Sequence, residues 1–167
     1  MADFALLLVN RLKEKGFRAA QPWQERTSVR VSENGKSYRV NISGSSVSAV
    51  FQIDDYIIKD GFKCDKLLLV SDQPVPNGDR GIAVFLELKG KDIEHAIEQL
   101  EATVKNKLFK PYPSAQDKTR ARIVTAGCGP KSSSKIKVEE ARVRFKQQYN
   151  IELRILKNNQ PDLPINL

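Results

Sequence analysis

Cysteine is nearly missing from this chain. Cys64 and Cys128 are the only two in 167 residues, and neither belongs to a C-x-x-C pair. That argues against a disulfide framework and a zinc-ligand spacing, and it suits a reducing, intracellular compartment, with a cytoplasmic location as the expectation. Long apolar runs are missing as well. Phe4 to Val9 is far too short to span a bilayer, and no basic leader or cleavage region accompanies it, so no membrane partner is expected. There is no glycine-rich nucleotide loop, no helix-turn-helix and no zinc-finger spacing, so nothing suggests ATP use or motif-based sequence reading. Acids are the scarce partner in the charge balance: 20 Asp and Glu against 28 Lys and Arg give a formal charge of +8 and a pI near 9.5. An excess of cations favours a polyanionic partner, because phosphate contacts release condensed counterions. A solvated, mildly basic surface is the other reading of the same balance.

What is present fits one core. With 40% hydrophobic residues, the chain has enough apolar content for a single domain and too little length for two comfortable ones. The expected domain is 1–160, followed by a polar tail, 161–167. Asp3 is placed to cap a helix whose apolar face carries Phe4, Leu7, Leu8 and Leu12, with Gly16 at its stop. Val29 and Val31 alternate with polar residues up to Asn34-Gly35, and Tyr38, Val40 and Ile42 alternate after it, a hairpin signal. Gly44-Ser45-Ser46 breaks the pattern before a further strand from Val47 to Ile53. Two apolar runs, Lys66 to Val70 and Ile82 to Leu88, flank a turn-rich segment. A helix is expected from Asp92 to about Lys107, with Ile93, Ala96, Ile97, Leu100 and Val104 buried. A strand at Arg122 to Ala126, a basic helix with Val138, Ala141, Phe145 and Tyr149 inward, and a last strand at Ile151 to Leu156 complete the order. The expected fold class is α/β (α+β), a mixed central sheet flanked by helices.

The chemistry concentrates in the two central strands. In Phe85-Leu86-Glu87-Leu88-Lys89 the period of two sends Leu86 and Leu88 to one face and Glu87 and Lys89 to the other. If the two apolar runs form an antiparallel hairpin centred on Pro76, Asp65 lies across from Glu87. Two carboxylates drawn together repel unless a cation sits between them. Mg²⁺, or Mn²⁺ in its place, suits such a site, with the Leu88 carbonyl as a further oxygen. Lys89 beside it can orient or deprotonate a water and balance charge at phosphorus. The plainer alternative makes Asp65 a strand-end cap and Glu87–Lys89 a surface ion pair.

An Asp at the head of an apolar strand, a turn, and a second strand ending in Glu-x-Lys before a helix resembles the PD-(D/E)XK nuclease superfamily. The similarity covers roughly Phe51 to Leu108. It implies a restriction-endonuclease-like core and metal-dependent phosphodiester hydrolysis, with Asp65 and Glu87 matching the metal-binding acids, Lys89 the catalytic lysine, and Gln99 the glutamine on the following helix. Cys64 stands where that superfamily often has proline. The implied substrate is DNA, with RNA second, and the same fold also serves binding proteins that do not cut. A homodimer stays open.

Asp54 and Asp55 are read as a strand end and turn, or as an outer carboxylate pair. His95, the sole histidine, shares a helix side with Asp92 and Gln99. Lys118, Arg120, Arg122, Lys131, Lys135, Lys137, Arg142, Arg144 and Lys146 make the chain's second half basic, and Arg142 with Lys146, spaced i and i+4, forms a ridge able to track phosphates. Trp23 and Tyr112 are read as loop residues, packed or stacking on bases.

Overall fold

The computed structural model describes residues 3–72, 81–88, 91–110, 119–126 and 132–167. Helix α1, Phe4–Glu14, begins at the expected cap: the Leu6 N–H donates to Asp3 Oδ1 at 3.1 Å. Its inward stripe is Phe4, Ala5, Leu8, Val9 and Leu12, while Leu7 is 49% exposed and points away. Strand β1, Gln21–Glu33, starts eight residues before the alternating valines and takes Trp23 into the sheet. It turns at Asn34-Gly35, both at positive φ, into β2, Lys36–Gln52.

β2 is one long strand where the sequence pattern breaks. Gly44 lies at φ +71°, and the β1–β2 register slips between Arg26 and Ser28 opposite it. An unpaired bulge of this kind bends a strand and adds twist. The outer half of the β1–β2 hairpin therefore curls over the sheet while the inner half stays in it.

β3, Lys66–Ser71, and β4, Ile82–Leu88, pair antiparallel, from Lys66↔Leu86 to Val70↔Ile82. That is the register expected for a turn centred at 76, although Pro76 itself lies outside the described residues. After α2, Ile93–Lys105, the chain enters β5, Thr119–Thr125, which runs parallel to β4. Helix α3, Ser132–Arg144, continues as a π-turn, Phe145–Tyr149, and leads to β6, Glu152–Lys157, parallel to β5. The result is a mixed six-stranded sheet in the order β1-β2-β3-β4-β5-β6.

The two faces of this sheet are covered differently. Leu67, Leu69, Ala83, Phe85, Ala121, Ile123 and Leu153 pack under the three helices. Leu68, Val70, Val84, Leu86, Leu88, Val124 and Leu156 pack under the curled hairpin residues Val29, Val31, Tyr38, Val40 and Ile42. Gly81 allows α1 to seat closely, since a Cβ there would lie 2.7 Å from the Ala5 amide nitrogen and closer still to the Asp3 carboxylate.

The segment expected to be a polar tail joins this second layer. Pro161 bridges Arg39 and Ile165 bridges Ile42, both parallel, and Ile165 is fully buried. Asp162, 5% exposed, accepts from Tyr38 Oη at 2.8 Å and Arg122 Nε at 2.9 Å. Nothing in the adjacent Gln160-Pro161 and Leu163-Pro164 marks it for burial, but a buried arginine requires its carboxylate. Among the described residues no helix is long and apolar enough to cross a membrane.

Candidate functional site

The sheet's geometry brings several polar residues to one end. β4, β5 and β6 all finish there, and antiparallel β3 begins there. Asp65 immediately precedes β3, and its N–H donates to the Leu86 carbonyl at 3.0 Å, extending the ladder by one residue. Asp65 and Glu87 thus stand at neighbouring strand positions, as the hairpin arithmetic requires. Glu87 shares the helix-covered face with Phe85 and is 1% exposed, while Leu86 and Leu88 face the curled hairpin.

Asp65 is half-buried. One of its oxygens, Oδ2, accepts from the Leu88 N–H at 2.6 Å. Burial raises its pKa, the Leu88 hydrogen bond opposes that, and the charges of Glu33 and Asp54 raise it again. The fully buried Cys64 thiol feels both acids. Burial pushes its pKa far up, against a hydrogen bond from Thr103, and the Glu87 and Asp65 charges push it further. A region where carboxylates raise the proton affinity of their neighbours is one in which a cation lowers the electrostatic free energy.

Gln99 ties α2 to this end of the sheet. Its Nε2 donates to the Lys63 carbonyl at 3.1 Å, and one turn on, Thr103 Oγ1 accepts from the Cys64 N–H at 2.8 Å. The Gln99 Oε1 is buried and has no hydrogen-bond partner among the described residues. Helical spacing, which puts Gln99 and Thr103 on one ridge, explains why they reach adjacent residues. Lys89, the third member of the expected constellation, lies outside the described residues. Asp54 and Asp55 end β2 as a turn, with Asp55 at φ +56°, and both pair with Lys63, at 3.6 and 2.9 Å.

His95 is engaged by Glu98 and Phe62. Its Nδ1 lies 3.5 Å from Glu98, and its ring meets Phe62 edge-on at 5.1 Å between centroids. Asp92 spends its carboxylate on capping α2, accepting from the His95 N–H at 3.0 Å.

Much of the basic tract proves to be internal wiring. Arg122 is completely buried, bonded to Asp162 and Glu152, and Arg120 donates to the Leu163 carbonyl. Arg144 forks onto Glu101 at 2.9 and 3.0 Å, and Lys137 pairs with Glu94 at 2.8 Å. Arg142 pairs with Glu139 one turn away, and Lys146 is exposed beyond it. Arg142 and Lys146 together line one wall of a groove against β6. Sequence counting cannot separate these roles, because every acid partner except Glu139 comes from another element.

Two residues at this end of the sheet escaped notice as site candidates. Thr125 closes β5 and Lys157 closes β6, and they are register partners. Neither belongs to a motif, and only the parallel pairing brings them together. Among the described residues no group of three or more His, Cys, Asp or Glu side chains is arranged to hold a metal. Comparison of the chain with protein-family models, curated proteins and solved structures found no match.

Proposed function

We propose that this chain is a metal-dependent nuclease of the PD-(D/E)XK type acting on DNA, with RNA the less favoured substrate. The observation that carries the reading is the placement of Asp65 and Glu87 at adjoining strand positions, at the end of the sheet where the parallel strands finish. The order of α1, antiparallel β3–β4, α2, β5, α3 and β6 agrees with a restriction-endonuclease-like core. The donor set suits Mg²⁺: one or two hard carboxylates are what this ion commonly takes from protein, and a cation between Asp65 and Glu87 would offset their mutual repulsion. Asp65 and Glu87 would hold the ion, with the Leu88 carbonyl beside them. Bound there, it would supply Lewis-acid stabilisation of charge at a phosphodiester. Lys89, two residues on from Glu87, would help orient the attacking water, and Gln99 would support the acids from α2.

A second reading has its own support. The Leu88 amide already occupies Asp65 Oδ2 at 2.6 Å, which suits a structural role for Asp65 in a non-catalytic nucleic-acid-binding protein. The two readings separate in one experiment. Purified protein is incubated with single-stranded, duplex and branched DNA, with Mn²⁺ or with chelator, and binding is titrated in parallel. A nuclease cleaves only with metal, and Asp65→Asn, Glu87→Gln and Lys89→Ala each lower cleavage by at least about 10²-fold while binding persists, because affinity comes mainly from phosphate contacts elsewhere. Salt-dependent binding with no cleavage in any arm selects the binding protein and sinks the nuclease.

A further inference from the structure

Beside the acids, the same end of the sheet carries a cavity of about 410 Å³ between α3 and the carboxyl ends of β5 and β6. Its apolar lining comes from Val138, Ile155 and Leu156, and three cations, Lys135, Arg142 and Lys157, also line it. Thr125 lines it too. This residue is 2% exposed, and its Oγ1 is buried with no hydrogen-bond partner among the described residues. A buried hydroxyl without a partner carries a desolvation cost, and a polar ligand entering the cavity that its residue lines offers it one. The carboxyl ends of parallel strands are also where α/β sheets bind their ligands.

We propose that this cavity holds a phosphorylated nucleotide, with Thr125 Oγ1 donating to its phosphate. The identity of the ligand as a nucleotide rests on the nuclease reading; the presence of a site rests on the cavity alone. Three features of the cavity fix the chemistry. The volume lies within the ordinary range for small-molecule sites. The three cations are opposed by one carboxylate, Glu139, an excess of two positive charges, which matches a phosphomonoester near neutral pH. The apolar lining suits the sugar or base. Thr125 shares the helix-covered face with Glu87, whose register partner on β5 is Ile123, two residues earlier. With strands roughly 4.8 Å apart, the cavity lies one to two strands from the acids. A strand end phosphorylated at its terminus and seated here would pass its next phosphodiester toward Asp65 and Glu87.

The test compares binding of four probes in chelator, where no cleavage intervenes: a nucleoside 5′-monophosphate, and one single-stranded oligonucleotide unphosphorylated, 5′-phosphorylated and 3′-phosphorylated. Wild-type protein binds a phosphorylated end about tenfold tighter than the unphosphorylated strand, the difference expected of a charge-assisted hydrogen bond with supporting cations. Thr125→Val, which keeps the shape and removes the orphaned hydroxyl, loses most of that preference while melting no lower than wild type. Lys135→Ala, a change at an exposed side chain, also reduces the preference and guards against a folding artefact. Tight mononucleotide binding that Thr125→Val weakens identifies the free molecule as the source, and strand-only binding identifies the terminus. Equal affinity for phosphorylated and unphosphorylated ends, with no mononucleotide binding, overturns the proposal, as does a preference that survives Thr125→Val. Metal-dependent cleavage with no end preference would sink this inference and leave the nuclease reading standing. Preference without cleavage would do the opposite.

Discussion

Asp65 shows how one side chain reports on its surroundings. Its pKa is raised, first by burial and then by the charges of Glu33 and Asp54, against the Leu88 hydrogen bond. For an acid whose folded-state pKa lies above the unfolded value, the folded chain binds the proton more tightly. Stability is then greatest at low pH and falls as pH rises through the folded value. Asp65→Asn keeps an oxygen for the Leu88 amide and removes the charge. The variant should therefore be more stable than wild type near pH 7 without metal, and the gap should close as the pH falls below the carboxylate range. Denaturant titrations across pH, in chelator, measure this. A wild type more stable than the variant at pH 7 would mean that the ionised carboxylate is worth more to the fold than its burial costs. Adding Mg²⁺ should narrow the gap at pH 7, since a ligand that binds only the folded state stabilises it.

At the scale of elements, α2 and α3 are held together by more than apolar packing. Glu101 on α2 receives both bonds of the Arg144 fork and a third from Tyr149 Oη at 3.0 Å. Burial works to raise the Glu101 pKa, but these hydrogen bonds prevail and hold it below the ordinary value. The sign is opposite to that at Asp65: the contribution is present above the unfolded carboxylate pKa and disappears as pH falls through the folded one. Glu101→Gln should cost about 1 kcal/mol at neutral pH, scaled down because Arg144 is part-exposed, and close to nothing in acid. A pH-independent difference between the two proteins would assign the effect to packing instead. Because α3 also forms a wall of the cavity beside β6, loosening this clamp is expected to weaken ligand binding there as well.

At the scale of the whole molecule, the last residues complete the second layer. Arg122 is fully buried in the sheet, and Asp162 reaches it from the returning chain end, while Tyr38 closes the triangle from the curled hairpin. Three distant segments meet at one carboxylate. Asp162→Ala should cost about 3–5 kcal/mol in urea denaturation, since removing one partner leaves a buried charge poorly compensated. A loss below about 1 kcal/mol would show that the chain end contributes little and that Glu152 alone satisfies Arg122.

Local pattern determined a good share of this protein. The period of two separated Leu86 and Leu88 from Glu87, helical spacing marked the buried stripe of α2, and the centre of the turn set the β3–β4 register that puts Asp65 near Glu87. These follow from forces between residues close in sequence, so the sequence displays them. Tertiary structure alone decided the rest. Gly44 reads as a strand break, yet the neighbouring strand carries the chain through it as a bend. Residues 161–167 read as a polar tail because nothing local shows that Asp162 has an arginine to neutralise. Arg122, Arg144 and Lys137 read as free cations because their acids arrive from other elements. Thr125 and Lys157 carry no local signal at all. Their meeting depends on parallel strands joined by a helix, a contact whose partners lie far apart in sequence and which only the folded sheet brings together.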